Sequence, residues 1–211
     1  MIDFEKEKYA ISVSQMRNSD RYTIENFTSG KELMYRAAMG IYNSADWRKK
    51  RIAIVCGSGN NGGDGYALAG ILADNGEAPV IFRISEKFSE DGSFYHKQAK
   101  KKGVKDVTFT LKNDLSGFDI VVDCILGTGF RGNPEGIVAD AINTINNSGA
   151  YVISADINSG LNGDTGEAQL AVKSDLTVSI GYYKKGMFKG KAPENIGELV
   201  NVDIGIVLTC E

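Results

Sequence analysis

Short apolar segments alternate along this chain with segments whose apolar residues recur at helical spacing. The apolar segments predict six strands, at residues 52–56, 79–83, 120–124, 151–155, 176–180 and 199–202. Helical spacing is found at residues 14–27 and 31–44 before the first strand, and at residues 66–75, 89–102 and 139–147 between strands. Three of the strands are almost continuously apolar, which is typical of strands buried on both faces. The pattern therefore predicts an α/β fold with a mostly parallel sheet, helices on both sides of it and additional N-terminal helices.

The composition fits a single domain of residues 1–211. Hydrophobic residues make up 42% of the chain and charged residues 24%, and the formal net charge is -3. The absence of a basic excess argues against a nucleic-acid partner. No apolar run reaches membrane-spanning length, and the N-terminal residues lack the apolar core of a secretion signal. We therefore expect a cytoplasmic protein with no membrane partner.

Cysteine and histidine usage narrows the possible chemistry. The chain has three cysteines, Cys56, Cys124 and Cys210, at spacings that suit neither a disulfide framework nor a zinc site. We expect reduced thiols. The single histidine, His96, is expected on the surface of an amphipathic helix. A catalytic cysteine and a Ser-His-Asp hydrolase are therefore both disfavoured.

Three of the predicted strands end in polar, glycine-rich turns, at residues 57–65, 127–133 and 156–166. Ligands bind at the carboxyl ends of the strands in an open parallel sheet. We therefore expect the three turns to meet and form one binding site.

The first turn contains the pattern G-x-G-x-x-G and leads into a helix, whose free N–H groups and dipole favour a phosphate. The second strand does not end in a clear ribose-binding acid, since Glu86 is only a loose candidate. Asn60, Asn61 and Asp64 add amides and a carboxylate, which suit a cation or a sugar hydroxyl better than a plain diphosphate cradle. The alternative is a simple turn with a helix cap.

Two aspartates lie at the ends of apolar strands. Asp123 is expected to be buried, so it requires a cation, a ring of N–H donors or a basic residue, unless it is a cap. Asp156 is the best acid–base candidate, and its alternative is also a capping role. Arg131, in the second turn, either contacts phosphate as a planar fork or is an ordinary surface arginine. Asp164 is expected to form a turn.

Together these motifs resemble a known family. Residues 60–65, 122–129 and 155–161 are similar to the NAD(P)H-hydrate epimerase family, the YjeF N-terminal domain. Supporting matches include Gln15-Met16-Arg17 with Asp20, and Lys184-Lys185-Gly186. The resemblance covers essentially the whole chain. It implies a Rossmann-like three-layer αβα sandwich that interconverts the R and S forms of hydrated NADH and NADPH, which are damaged cofactors.

The resemblance also implies the roles of individual residues. Substrate binding falls on Asn60, Asn61, Gly62, Gly63, Asp64, Gly127, Thr128, Gly129, Phe130, Arg131, Gly132, Asn133 and Asp156. By the same resemblance, Asn61, Asp123 and Ser159 would bind a potassium ion. Asp156 would protonate the departing hydroxyl and activate the returning water. One departure is Asn158, where the family usually has proline, and we expect a less rigid turn there.

Partners follow from the same resemblance. Members are commonly dimeric, which predicts a homodimer. Many bacterial members continue into a kinase-like domain that dehydrates the S form. Because this sequence ends at Glu211, we expect functional coupling to a separate ADP- or ATP-dependent NAD(P)H-hydrate dehydratase.

Three other functions stay open. An NAD-dependent oxidoreductase would explain the glycine pattern, but it requires a hydride-transfer site that the sequence does not show. A non-catalytic interaction module of the same fold, as in scaffold proteins of RNA decay, would tend to lose the site residues that this chain keeps. A nucleotide-binding domain with an unrelated substrate is the third alternative.

Overall fold

The computed structural model describes residues 2–210, and within them it contains one sheet of seven strands. The strands are β1 Ile52–Cys56, β2 Val80–Arg83, β3 Lys105–Thr108, β4 Ile120–Cys124, β5 Tyr151–Ala155, β6 Ser174–Ile180 and β7 Ile196–Val202. Their order across the sheet is β3-β2-β1-β4-β5-β6-β7, and every neighbouring pair is parallel. The strand order changes direction between β1 and β4, so the ends of these two strands form a topological switch point.

Six α-helices accompany the sheet in the described part of the chain. They are α1 Val13–Asn26, α2 Gly30–Asn43, α3 Asn60–Asp74, α4 Glu90–Lys101, α5 Gly136–Asn146 and α6 Ala192–Asn195. Short 3-10 helices cover Phe4–Tyr9 and Lys185–Phe188. None of the described helices is both long enough and apolar enough to cross a membrane.

The core is divided by the sheet into two main layers. Alternate side chains of β1 point to opposite faces, as the pleat requires. Ile52, Ile54 and Cys56 pack with residues of α1 to α4, whereas Ala53 and Val55 pack with residues of α5. All five β1 side chains are fully buried. Each large aliphatic side chain buried in this way contributes about 1.5–3 kcal/mol to folding. The three-layer arrangement confirms the predicted fold class.

The helix starts differ in a way that matters for the site. Ser12, Ser29 and Ser89 cap α1, α2 and α4 by accepting a backbone N–H bond on the side-chain oxygen. The N-cap of α3 is Gly59, which has no side chain to offer. The first N–H groups of α3 therefore have neither an intrahelical acceptor nor a side-chain cap.

Two sequence expectations about the elements were wrong. β3 was missed because Lys105–Thr108 is a polar, partly exposed edge strand. His96 does not lie free on the surface. Its ring stacks on Phe88 with centroids 4.6 Å apart, and its Nε2 lies 2.8 Å from Asp106 Oδ2. The helix that carries His96 packs against α3, so its inner face is covered.

Candidate functional site

A cavity of about 490 Å³ lies at the carboxyl edge of β1, β4 and β5. The turn after each of these strands contributes to its wall, and α1, α2 and the start of α4 complete it. The predicted site residues that line it are Asn60, Asn61, Asp64, Gly127, Thr128, Gly129, Phe130 and Asp156. Gly62, Gly63, Arg131, Gly132 and Asn133 do not line it.

Gly62 and Gly63 allow α3 to pack closely on its neighbours. A Cβ on Gly62 would lie 2.1 Å from the carbonyl oxygen of Gly57. A Cβ on Gly63 would lie 2.4 Å from Cε of Met34 in α2. A side chain at position 62 would push the start of α3 away from the turn after β1, and one at position 63 would displace the end of the Met34 side chain. These glycines thus fix where the free N–H groups of α3 point.

Arg131 is turned towards its own loop. Its Nη1 donates to the carbonyl oxygens of Thr128 and Phe130, each at 2.9 Å. Its Nη2 lies 3.2 Å from Asp164 Oδ2, and Asp164 Oδ1 accepts a bond from the N–H of Val13 at 2.7 Å. Arg131 and Asp164 therefore tie the turn after β4 to the start of α1. The guanidinium that lines the cavity belongs to Arg17 of α1.

Asp123 is fully buried near the end of β4 and is surrounded by donors. Its Oδ1 accepts from Ser159 Oγ at 2.5 Å and from the N–H of Ile125 at 3.2 Å. Its Oδ2 accepts from the N–H of Ser159 at 2.9 Å and from Ser154 Oγ at 3.0 Å. Burial raises the pKa of Asp123, and these bonds oppose the rise. Of the possibilities that the sequence left open, the structure shows a ring of donors, made of two backbone N–H groups and two serine hydroxyls.

Asn61 lies beside this network. Its Nδ2 donates to the carbonyl oxygen of Leu126 at 3.0 Å. Ser159 Oγ lies 3.3 Å from the same oxygen and accepts the N–H of Leu126 at 2.8 Å. Asn61 Oδ1 is buried and has no hydrogen-bond partner among the described residues. A buried acceptor of this kind needs a donor or a cation.

Asp156 follows β5 in a left-handed backbone conformation, with φ of 65°. Its N–H donates to the carbonyl oxygen of Val178 at 2.8 Å, which extends the β5–β6 ladder by one residue. Its Oδ1 forms an ion pair with Nζ of Lys184, whose side chain is only 1% exposed. The sequence did not predict this partner.

Two further acids of the cavity wall are Asp20 in α1 and Asp64 in α3. Burial, followed by the charge of Asp156, raises the pKa of Asp20 to about 6. Burial and the charges of Asp156 and Asp20 raise the pKa of Asp64 well above its usual range. Asp64 was predicted to bind substrate, whereas Asp20 and Lys184 had entered the sequence analysis only as motif matches without a role.

The turn at Asn158 is firmly held, so the expectation of a less rigid turn was wrong. The side chain is fully buried. Its Nδ2 donates to the carbonyl oxygens of Val172 and Asn195, each at 2.9 Å, and its Oδ1 accepts from Thr177 Oγ1 at 2.6 Å. These bonds do the restraining that a proline ring would otherwise do.

The chain is similar to known proteins over most of its length. The family described as YjeF-related protein N-terminus matches residues 30–186. An NAD(P)H-hydrate epimerase of Oenococcus oeni is 35% identical, over 93% of this chain and 96% of the relative. An NAD(P)H-hydrate epimerase of Limosilactobacillus reuteri is 34% identical, over 90% of this chain and 92% of the relative.

Similarity extends to a longer relative and to a solved structure. The bifunctional NAD(P)H-hydrate repair enzyme Nnr of Coxiella burnetii is 32% identical over 91% of this chain, but this chain spans only 40% of that protein's length. The crystal structure of the yeast protein YNL200c superposes with a TM-score of 0.74 at 20% identity, covering 91% of this chain and 86% of the yeast chain. The yeast structure supports the fold.

Proposed function

The chain belongs to the YjeF-related protein N-terminus family, and from this membership we propose that it is an isomerase that interconverts the R and S forms of hydrated NADH and NADPH. One observation carries the proposal. The Asp156 carboxylate lies in the same cavity as the uncapped start of α3 and the turn after β4. The cavity thus offers an acid–base group beside backbone N–H groups that are suited to a nucleotide phosphate.

The reaction requires a proton donor and a proton acceptor but no redox step. Water adds to a dihydronicotinamide so that the hydroxyl is on the carbon bonded to the ring nitrogen. To invert that carbon, the hydroxyl takes a proton, the C–O bond breaks and water leaves, while the nitrogen lone pair forms a C=N bond. Water then adds on the other face and loses a proton. We assign acid–base chemistry in this sequence to Asp156.

The diphosphate of such a substrate carries negative charge, and the cavity has donors for it. The N–H groups at the start of α3 and the turn of residues 127–130 supply backbone donors. Arg17 adds a guanidinium, since its Nη2 lies 3.7 Å from where a Cβ on Gly129 would be. We propose that these groups hold the diphosphate and leave the nicotinamide end next to Asp156.

We further propose a potassium ion beside Asn61, Ser159 and Asp123. One observation supports such a cation: Asn61 Oδ1 is buried and has no hydrogen-bond donor among the described residues. Ser159 Oγ donates to Asp123 and accepts from Leu126, so one of its lone pairs remains for a cation. Amide and hydroxyl oxygens are ligands for hard cations. The Asp123 carboxylate, whose oxygens already accept from four donors, would supply the balancing negative charge beside the ion. When bound, the ion would offset part of the diphosphate charge.

Association with other activities is a separate proposal. The name of the longer Coxiella relative indicates two activities in one chain. We propose that the product of this chain is consumed by an ADP- or ATP-dependent NAD(P)H-hydrate dehydratase, and that the chain acts as a homodimer. Equilibrium sedimentation of the purified protein tests the dimer, and a monomer at micromolar concentration would contradict it.

The function is tested by supplying the protein with mixed R and S hydrates and a dehydratase that consumes only the S form. Epimerisation leads to loss of both forms on a chiral-phase column, and its absence leaves the R form behind. Asp156→Asn is expected to slow the loss of the R form at least about 100-fold. Asp46→Asn, which changes an exposed aspartate paired with the neighbouring Arg48, is the matched control. An inactive wild-type protein, or an Asp156→Asn variant as active as the control, would contradict the assignment.

A further inference from the structure

Four ionisable groups from four parts of the chain meet at the cavity. Asp20 comes from α1, Asp64 from α3 and Asp156 from the end of β5, and all three line the cavity. Lys184, which follows β6, is the cation paired with this group through Asp156. Three carboxyl groups with one ammonium group cannot all be charged without strong repulsion, so the cluster retains a proton.

Lys184 is rigidly held. Besides Asp156, its Nζ donates to the carbonyl oxygen of Ile180 at 2.8 Å and lies 3.4 Å from Ser179 Oγ. These contacts use all three N–H groups of the ammonium. The backbone at Lys184 pairs with the segment that leads into α1, since the N–H of Lys185 donates to the carbonyl oxygen of Ile11 at 3.0 Å. Lys184 therefore links Asp156 to the helix that carries Asp20.

The two oxygens of Asp156 are not equivalent. Oδ1 is bound to Lys184. Oδ2 lies 3.7 Å from where a Cβ on Gly127 would be, at the cavity wall. Lys184 thus holds the carboxylate by Oδ1, and Oδ2 remains at the cavity wall.

Asp20 differs from Asp156 in its partners. The described residues include no hydrogen bond or ion pair to its carboxyl group. Burial and the neighbouring Asp156 raise its pKa to about 6, and Lys184 opposes the rise. Other charged groups that face this region are Arg17 on the same helix, Asp64 on α3 and Asp91 at the start of α4. A carboxyl group that titrates near neutral pH is suited to donate a proton.

Inversion of a carbon needs chemistry on both of its faces. The hydroxyl leaves from one face and water returns to the other, so a single fixed carboxylate cannot serve both unless the ring turns over. Asp20 and Asp156 reach the cavity from different elements, since Asp20 lies in α1 and Asp156 directly follows β5.

We propose that Asp20 and Asp156 divide the acid–base work and that Lys184 is a positioning residue that fixes Asp156; this rests on the proposed epimerase function. In one direction, the Asp20 carboxyl gives its proton to the hydroxyl, and the C–O bond breaks as the ring nitrogen forms C=N. Water then forms the new C–O bond and gives a proton to Asp156. The proton returns to Asp20 through solvent, so no co-reactant is consumed. The reverse direction exchanges the two roles.

Kinetics test the role of Asp20. Asp20→Asn is expected to lower kcat at least about 100-fold with KM changed less than about threefold. In the wild type, kcat is expected to fall as Asp20 ionises at high pH, and the variant should lose that fall. Asp20→Glu should recover part of kcat, and Glu25→Gln, an exposed acid on the same helix, is the control. An Asp20→Asn variant within threefold of wild-type kcat, or with an unchanged pH profile, would overturn the proposal.

A second measurement does not depend on the reaction. The ¹³C carboxyl shift of Asp20 is titrated by NMR in the wild type, Asp156→Asn and Lys184→Met. Asp156→Asn should lower the pKa of Asp20 and Lys184→Met should raise it, since the two charges act on it with opposite sign. If the wild type does not epimerise the hydrates but these pKa shifts occur, the proposed function is wrong and the electrostatic coupling of Asp20, Asp156 and Lys184 is confirmed. If neither variant changes the pKa of Asp20, or if both change it in the same direction, the proposed interaction of the three groups is refuted. If Lys184→Met does not fold, the pKa of Asp20 in Asp156→Asn alone decides.

Discussion

Replacing Asp20 by asparagine is expected to stabilise the free protein at alkaline pH. The rise of the Asp20 pKa from 3.8 to about 6 means that folding opposes its ionisation. At 1.36 kcal/mol per pKa unit, the opposition reaches about 3 kcal/mol, and partial solvation of the carboxyl group lowers it towards about 2 kcal/mol. Asparagine has nearly the same shape and no charge, so it removes this cost.

The sign follows from proton binding. Between pH 3.8 and about 6, the native state retains a proton on Asp20 that the unfolded state has lost. Wild-type stability therefore falls through this window as pH rises, and it stays reduced above it. The variant lacks this loss. Below pH 3.8 Asp20 is protonated in both states, and the two proteins should differ least.

The measurement is urea unfolding of both proteins from pH 4 to pH 8, without substrate. The difference in free energy of unfolding, variant minus wild type, isolates Asp20 from the other titrating groups. It should grow by about 1.5–2.5 kcal/mol between pH 4 and pH 8, because a small part of the effect is already present at pH 4. Glu25→Gln, which removes an exposed acid of the same helix, is the control. A flat or decreasing difference for Asp20→Asn would refute the account of a buried, repelled carboxyl group.

Two further predictions concern the turns and the cation. Gly160→Ala should lower the free energy of unfolding by at least about 2 kcal/mol more than Gly76→Ala. Both glycines have positive φ, but a Cβ on Gly160 would lie 2.1 Å from the carbonyl oxygen of Leu170, whereas a Cβ on Gly76 would meet no atom within 4 Å. Equal losses in thermal or urea unfolding would contradict this. Asn61→Ala should weaken activation by potassium at least about 10-fold, measured as epimerisation against KCl concentration with choline chloride keeping ionic strength constant. If wild type and variant respond alike to KCl, Asn61 does not ligate the ion.

The central strands could be predicted from sequence because their environment is uniform. β1, β4 and β5 are five-residue runs of mostly apolar residues that are buried except for Tyr151 at the start of β5, and their predicted limits match the observed ones. β3 lies at the edge of the sheet, where one side is solvent and apolar residues are not required. Its residues therefore give no hydrophobic signal.

The start of α3 was harder to predict than its end. The helix begins at Asn60, six residues before the predicted start, and its first turns contain three glycines. Glycine disfavours helix by about 1 kcal/mol per residue, so local preference indicates a loop. Close packing of Gly62 and Gly63 on neighbouring backbone and side chains outweighs that preference. Tertiary contacts of this kind are not visible in a single sequence.

The cavity could be anticipated in outline but not in its charges. The glycine-rich turns were predicted to converge because parallel strands share a carboxyl edge. Lys184 stands in a run with Lys185, which looks like solvated charge, and only the fold shows that one of them is buried against Asp156. Asp20 lies far from the turns in sequence, and its only sequence signal was the motif match that it shares with Gln15-Met16-Arg17.

The backbone of Asp156 shows why this position is occupied by an aspartate. Asp156 has a φ of 65°, and this conformation costs a non-glycine residue about 1–2 kcal/mol relative to glycine. Gly160 in the same turn has a φ of 100°, and as a glycine it does not carry this cost. Glycine at position 156 would relieve the strain, but it would leave the ammonium of Lys184, 1% exposed, without its counter-ion. Losing one partner of a buried ion pair typically costs 3–5 kcal/mol, more than the strain relieved. The strained backbone and the buried lysine therefore form one unit, in which Lys184 helps to maintain the conformation that presents the carboxylate to the cavity.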